Sequence, residues 1–111
     1  MSGEFIINPS DNHKKSTYHI KRILKEREEL TIKSGVAGSF SATMICERLA
    51  RWNYVTIENV STLTSMDNGR RRISLNILLR KTKDFDKLME ENELQRKKYY
   101  EEKNQNKEVI G

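Results

Sequence analysis

The amino-acid sequence predicts an α+β fold, a two-layer α/β sandwich in the order β-α-β-α-β-β with an extra C-terminal helix. Three observations predict it. Two short apolar runs, Phe5-Ile6-Ile7 and Leu30-Thr31-Ile32-Lys33, each precede a stretch with apolar residues at helical spacing. A Val-, Ile- and Thr-rich segment from Tyr54 to Thr64 leads through Asp67-Asn68-Gly69 into the strict alternation of Ile73, Leu75, Ile77 and Leu79. The chain has 111 residues, enough for one domain and a tail but too few for two full domains. Successive βα units closed by a hairpin give a mixed four-stranded sheet with helices mainly on one face.

Each element follows in order. The first strand stops at Asn8-Pro9-Ser10-Asp11-Asn12, a turn-forming cluster. A polar loop then carries Lys14 and Lys15. Ser16 or Thr17 is the expected cap of a first helix, whose apolar stripe is Ile20, Ile23 and Leu24. After the second strand, Ser34 to Ser39 is a small-residue turn, with Ser39 or Ser41 as the next cap. Ala42, Ile45, Cys46, Leu49 and Trp52 mark the buried stripe of a second helix. In the third strand Val55 and Ile57 share a face and Val60 falls on the other, which a bulge near Glu58-Asn59 repairs. Asn68 and Gly69 accept positive φ and so form the hairpin turn. A third helix starts near Asp84 and docks through Phe85, Leu88 and Met89. Beyond Leu94 apolar residues thin out, and a solvated helix is expected to fray at Asn104-Gln105-Asn106.

Composition narrows the function. Lys and Arg number 21 against 16 Asp and Glu, a net charge of +5, which suits a polyanionic partner. The run Arg70-Arg71-Arg72 and the pair Lys14-Lys15 have few acids beside them. No apolar run approaches the length of a membrane span, so no membrane partner is expected. Met1 to Pro9 has neither a basic n-region nor a long apolar h-region, which argues against secretion. The single cysteine, Cys46, fits a reducing compartment. The expected location is therefore the cytoplasm, the nucleus or both. His13 and His19 form no recognised metal spacing, and no Gly-rich loop ends in Lys-Ser or Lys-Thr. No catalytic group, metal site or cofactor is expected.

Element order and residues together resemble the Alba family, small basic proteins that bind chromatin or RNA. Lys14-Lys15 stands ahead of the first helix, where that family often has a lysine pair. Ile32-Lys33, a small-residue turn and Cys46-Glu47-Arg48-Leu49 are similar to its second strand and helix. Thr56 to Thr64, Gly69-Arg70, the Ile73–Leu79 strand and Lys83 to Leu88 look like the eukaryotic members most closely. The resemblance implies an Alba-like fold and divides the chain into a short N-terminal strand and loop (1–13), an Alba-like nucleic-acid-binding domain (14–89) and a charged C-terminal helix and tail (90–111). It also implies a homodimer, or a heterodimer with another Alba-like chain. RNA is favoured over DNA, because Gly35, Ala37 and Ser41 stand where archaeal members carry basic residues.

The candidate nucleic-acid-binding residues are Lys14, Lys15, Lys33, Arg70, Arg71 and Arg72. Guanidinium forks match phosphate geometry, and three adjacent like charges repel unless a counter-charge is near. In a strand Arg70 and Arg72 share one face and Arg71 takes the other. Lys14 and Lys15 oppose a helix dipole, a conflict that a bound phosphate relieves. Lys33 points outward from its strand, beside that site. Tyr18, Tyr54, Trp52 and Phe40 are candidates for stacking on bases, with Trp52 assigned to the core by its place on the apolar stripe. Phe40 and Met44 stand beside that stripe and are the candidate dimer interface. Gly35-Val36-Ala37-Gly38 reads as a plain turn rather than a KH-type clamp. The function expected is non-catalytic binding of RNA or DNA backbone, largely electrostatic, by a dimer. The alternative is an assembly subunit of a ribonuclease P/MRP-like ribonucleoprotein, with little binding of its own.

Overall fold

The computed structural model describes the backbone of residues 3–110 and the side chains of residues 3–98. Its elements are β1 (Gly3–Ile7), α1 (His13–Glu26), β2 (Glu29–Gly35), α2 (Ser39–Arg51), β3 (Val55–Asp67), β4 (Arg70–Lys81) and α3 (Phe85–Ile110). The strands form one four-stranded sheet in the order β1-β2-β4-β3. β1 is parallel to β2, while β4 is antiparallel to both β2 and β3. This is the mixed α+β sandwich that the sequence predicts. The expected bulge is present as a register shift between Ile57 and Asn59. It returns Val60 to the face of Ile57, opposite Ile77 of β4. Asn68 and Gly69 have φ of 52° and 77°, the positive pair that a two-residue type I′ hairpin requires.

The caps differ from expectation. α1 begins one turn earlier than Ser16 or Thr17 would start it, because the Asn12 side chain accepts from the backbone N–H of Lys14 (2.9 Å) and Lys15 (3.2 Å). Lys14 and Lys15 are therefore in the first helical turn, not on a loop. α2 is capped by Gly38 rather than by Ser39 or Ser41, and the Ser39 hydroxyl donates back to the Val36 carbonyl instead (2.8 Å). A Cβ on Gly38 would stand 2.8 Å from the Ile7 carbonyl oxygen, so the end of β1 passes too close for any larger residue.

Between sheet and helices lies a core that includes Ile7, Ile20, Leu24, Leu30, Ile32, Ile45, Leu49 and Leu79, all fully buried. Trp52 is not part of it and is 49% exposed. α2 ends at Arg51, and Asn53 turns left-handed at φ 65°. The Tyr54 N–H then bonds the Leu49 carbonyl and the Asn53 N–H bonds that of Ala50, the paired bonds of a Schellman stop. That turn swings Tyr54, not Trp52, into the core, where its ring meets Phe85 edge-on at 6.0 Å. Phe85 and Met89 anchor the start of α3; burying a ring of this size contributes about 1.5–3 kcal/mol. α3 then continues through Asn104-Gln105-Asn106, where fraying was expected, to Ile110. The Glu, Lys and Gln residues around that stretch are good helix formers.

Candidate nucleic-acid interface

The topology gathers basic residues at one end of the sheet. β1 and β2 finish side by side, with Ile7 opposite Ser34. α1 and α2 therefore both start at that end, and the His13 imidazole Nε2 and the Ser41 hydroxyl tie them together at 3.0 Å. β2 ends at Gly35 opposite Ser74, yet β4 extends from there back to Arg70. The β3–β4 hairpin thus projects beyond the body at the same end that carries Lys14 and Lys15.

Along the hairpin Asp67 pairs with Arg70, Met66 with Arg71 and Ser65 with Arg72. Alternation sets Arg70 and Arg72 on one face and Arg71 on the other. Arg72 reaches Asp67 across the strands at 3.4 Å, with both side chains largely in water, a weak and easily exchanged contact. Lys14, Lys15, Arg70 and Arg71 make no ion pair among the described residues. These four cations are open to an incoming phosphate. Lys33 is different. Leu30, Ile32 and Ser34 of β2 face the helices, so Lys33 points from the opposite face of the sheet, where Glu4 holds it at 3.0 Å. The sheet separates it from Lys14 and Lys15, because a strand residue that points away from the apolar face also points away from the helices that cover that face.

Of the aromatic candidates, Tyr18, Phe40 and Trp52 are exposed and Tyr54 is buried. Phe40 is 73% exposed while Met44, one turn on, is half-buried. The hairpin adds apolar surface that sequence alone did not single out. Val60, Met66 and Ile73 lie on the helix-side face of the sheet but beyond its helical cover, and all are exposed. Lys21, Arg48 and Arg96 are further cations that the packing brings near Tyr18 and Trp52. The docking of α3 brings Arg96, of the basic run Arg96-Lys97-Lys98, beside Lys21, of the basic pair Lys21-Arg22. Among the described residues no three His, Cys, Asp or Glu side chains gather as metal ligands.

Two-layer architecture, strand order and projecting hairpin together define the Alba fold. Comparison with solved structures shows it directly. The structure superposes on ALBA1 from Trypanosoma brucei with a TM-score of 0.81, covering 95% of this chain and 93% of that one, at 18% sequence identity. Alba from Thermoplasma volcanium matches with a TM-score of 0.55 over 70% of this chain and 99% of that one, at 13% identity. No family profile matches the sequence, and neither does any curated protein. The likeness lies in the fold.

Proposed function

We propose that this chain is a non-catalytic nucleic-acid-binding protein of Alba type that acts as a dimer. One observation carries the binding: four cations without a carboxylate partner among the described residues, Lys14, Lys15, Arg70 and Arg71, occupy the end of the molecule from which the hairpin projects. Lys14 and Lys15 hold backbone phosphates against the body, and Arg70 to Arg72 reach along the polymer. Arg72 exchanges Asp67 for phosphate. Lys33 stands outside this proposal because Glu4 and the sheet hold it away. The resemblance to Alba proteins supports the same reading, with RNA preferred to duplex DNA. Dimerisation covers Phe40 and the apolar hairpin face of Val60, Met66 and Ile73.

Fluorescence anisotropy with labelled single-stranded RNA and duplex DNA over a range of salt tests the binding. Affinity is expected to fall linearly in log salt, since each neutralised phosphate releases counterions. Replacing Arg70, Arg71 and Arg72 by alanine is expected to flatten that slope by about 2–3. Absence of binding to either probe at low salt sinks the proposal and leaves the assembly-subunit reading.

A further inference from the structure

A groove runs between α1, the C-terminal end of α2 and the start of α3, with a volume of about 740 Å³. That lies within the range of small-ligand sites. Lys14, Tyr18, Lys21, Arg48, Trp52 and Arg96 supply its charge and its rings, over an apolar side of Tyr54, Leu88 and Met89. A neighbouring depression shares Lys14, Tyr18 and Arg96 and adds Lys15. The groove is thus continuous with the lysine pair assigned to phosphate above.

We propose that this groove receives one unpaired nucleotide of a single-stranded nucleic acid, its base stacked on Trp52 and its phosphate among Lys21, Arg48 and Arg96. The proposal rests on the nucleic-acid reading above and adds to it a site for the base. Charge is the first argument. Among the described residues the one carboxylate lining the groove, Glu93, is already bonded to Lys25 at 2.7 Å. Lys21, Arg48 and Arg96 form no ion pair among the described residues. The Lys21 ammonium sits 4.1 Å above the Tyr54 ring and 5.8 Å from that of Trp52, and Arg96 lies 5.8 Å from Tyr18. Burial and, secondarily, Arg96 hold Lys21 below its usual pKa, so an anion arriving there relieves an existing conflict.

The rings are the second argument. Tyr18 and Trp52 remain 45% and 49% exposed beside these cations. Exposed rings interleaved with positive charge suit a ligand that offers a π-face and a phosphate together. A duplex hides its base faces in the stack, whereas an acidic peptide offers charge without bases. An unpaired nucleotide meets both demands.

Trp52 is the only tryptophan, so its emission reports on this groove. The full chain is titrated with short oligouridine, oligodeoxythymidine, duplex DNA of the same length and oligoglutamate. Tryptophan emission and the anisotropy of labelled oligomer are followed together. Either single strand is expected to quench Trp52 in step with binding, and duplex and oligoglutamate to leave it unchanged. Tyr18→Ala and Lys21→Met, checked for folding by circular dichroism, are each expected to weaken single-strand binding about tenfold. Replacing Arg70, Arg71 and Arg72 by alanine is expected to lower affinity yet preserve the quench at saturation. Single-strand binding with unchanged Trp52 emission overturns the groove proposal while leaving the nucleic-acid reading intact. Equal quenching by duplex or oligoglutamate overturns it as well. No binding of any oligonucleotide fells both.

Discussion

The Cys46 thiol lies on the buried face of α2, and desolvation pushes its pKa from the ordinary 9.0 up to about 12. Between those values the unfolded chain gives up its thiol proton while the folded chain keeps it. The thiol's contribution to stability is therefore constant below pH 9 and declines as pH rises through that window. A thiol reagent at pH 8 is expected to leave the native protein unlabelled and to label it fully in denaturant; rapid labelling of the native state would contradict the burial. Trp52 teaches a different lesson at the same scale. Its spacing from Leu49 fits the apolar stripe, but the stripe applies only while the helix lasts, and α2 stops at Arg51 with Trp52 as its C-cap ahead of the left-handed Asn53.

Elements meet at Gly38, where the start of α2 and the end of β1 come together. With the Ile7 carbonyl oxygen 2.8 Å from where a Cβ would sit, Gly38→Ala must push two backbones apart. It is expected to cost about 1–3 kcal/mol, the usual range for overpacking. Chemical denaturation checks this, and Gly35→Ala serves as the control because a Cβ there meets nothing within 4 Å. Equal midpoints for the two variants would rule out the close approach. The Asn12 cap acts at the same scale. By starting α1 at His13 it lifts Lys14 and Lys15 out of a loop and fixes them on a rigid helix beside Tyr18.

For the whole molecule, the proposed dimer rests on the apolar hairpin face. Val60, Met66 and Ile73 are 57%, 68% and 45% exposed on the side that carries the core elsewhere in the sheet. Apolar surface of this kind marks an interface. Sedimentation at tens of micromolar is expected to show a dimer, and Val60→Glu with Met66→Glu is expected to yield a folded monomer. A wild-type monomer at that concentration would contradict the proposed assembly. The proposed dimer would offer two hairpins to one polymer, so the monomeric double variant is expected to lose affinity through lost multivalency.

Much of this was legible from the chain. Period-two alternation in Ile73 to Leu79, the Asn68-Gly69 turn and the misfit of Val60 fixed β4, the hairpin and the bulge, because each is a local steric matter. The Lys14-Lys15 and Arg70–Arg72 clusters were equally plain, since charge density needs no fold to be seen. Three things depended on tertiary structure. Alternation put Lys33 on the face away from the helices, but its capture by Glu4 awaited the pairing of β1 with β2. The stripe that claimed Trp52 could not reveal the turn that excludes it. The groove joins Lys14, Tyr18 and Lys21 of α1, Arg48 of α2, its C-cap Trp52 and Arg96 of α3, and Arg96 reaches the others only because Phe85 and Met89 bury the start of α3. Local patterns specify elements because their causes lie within a few residues; sites built across elements are decided by packing between residues far apart in the chain.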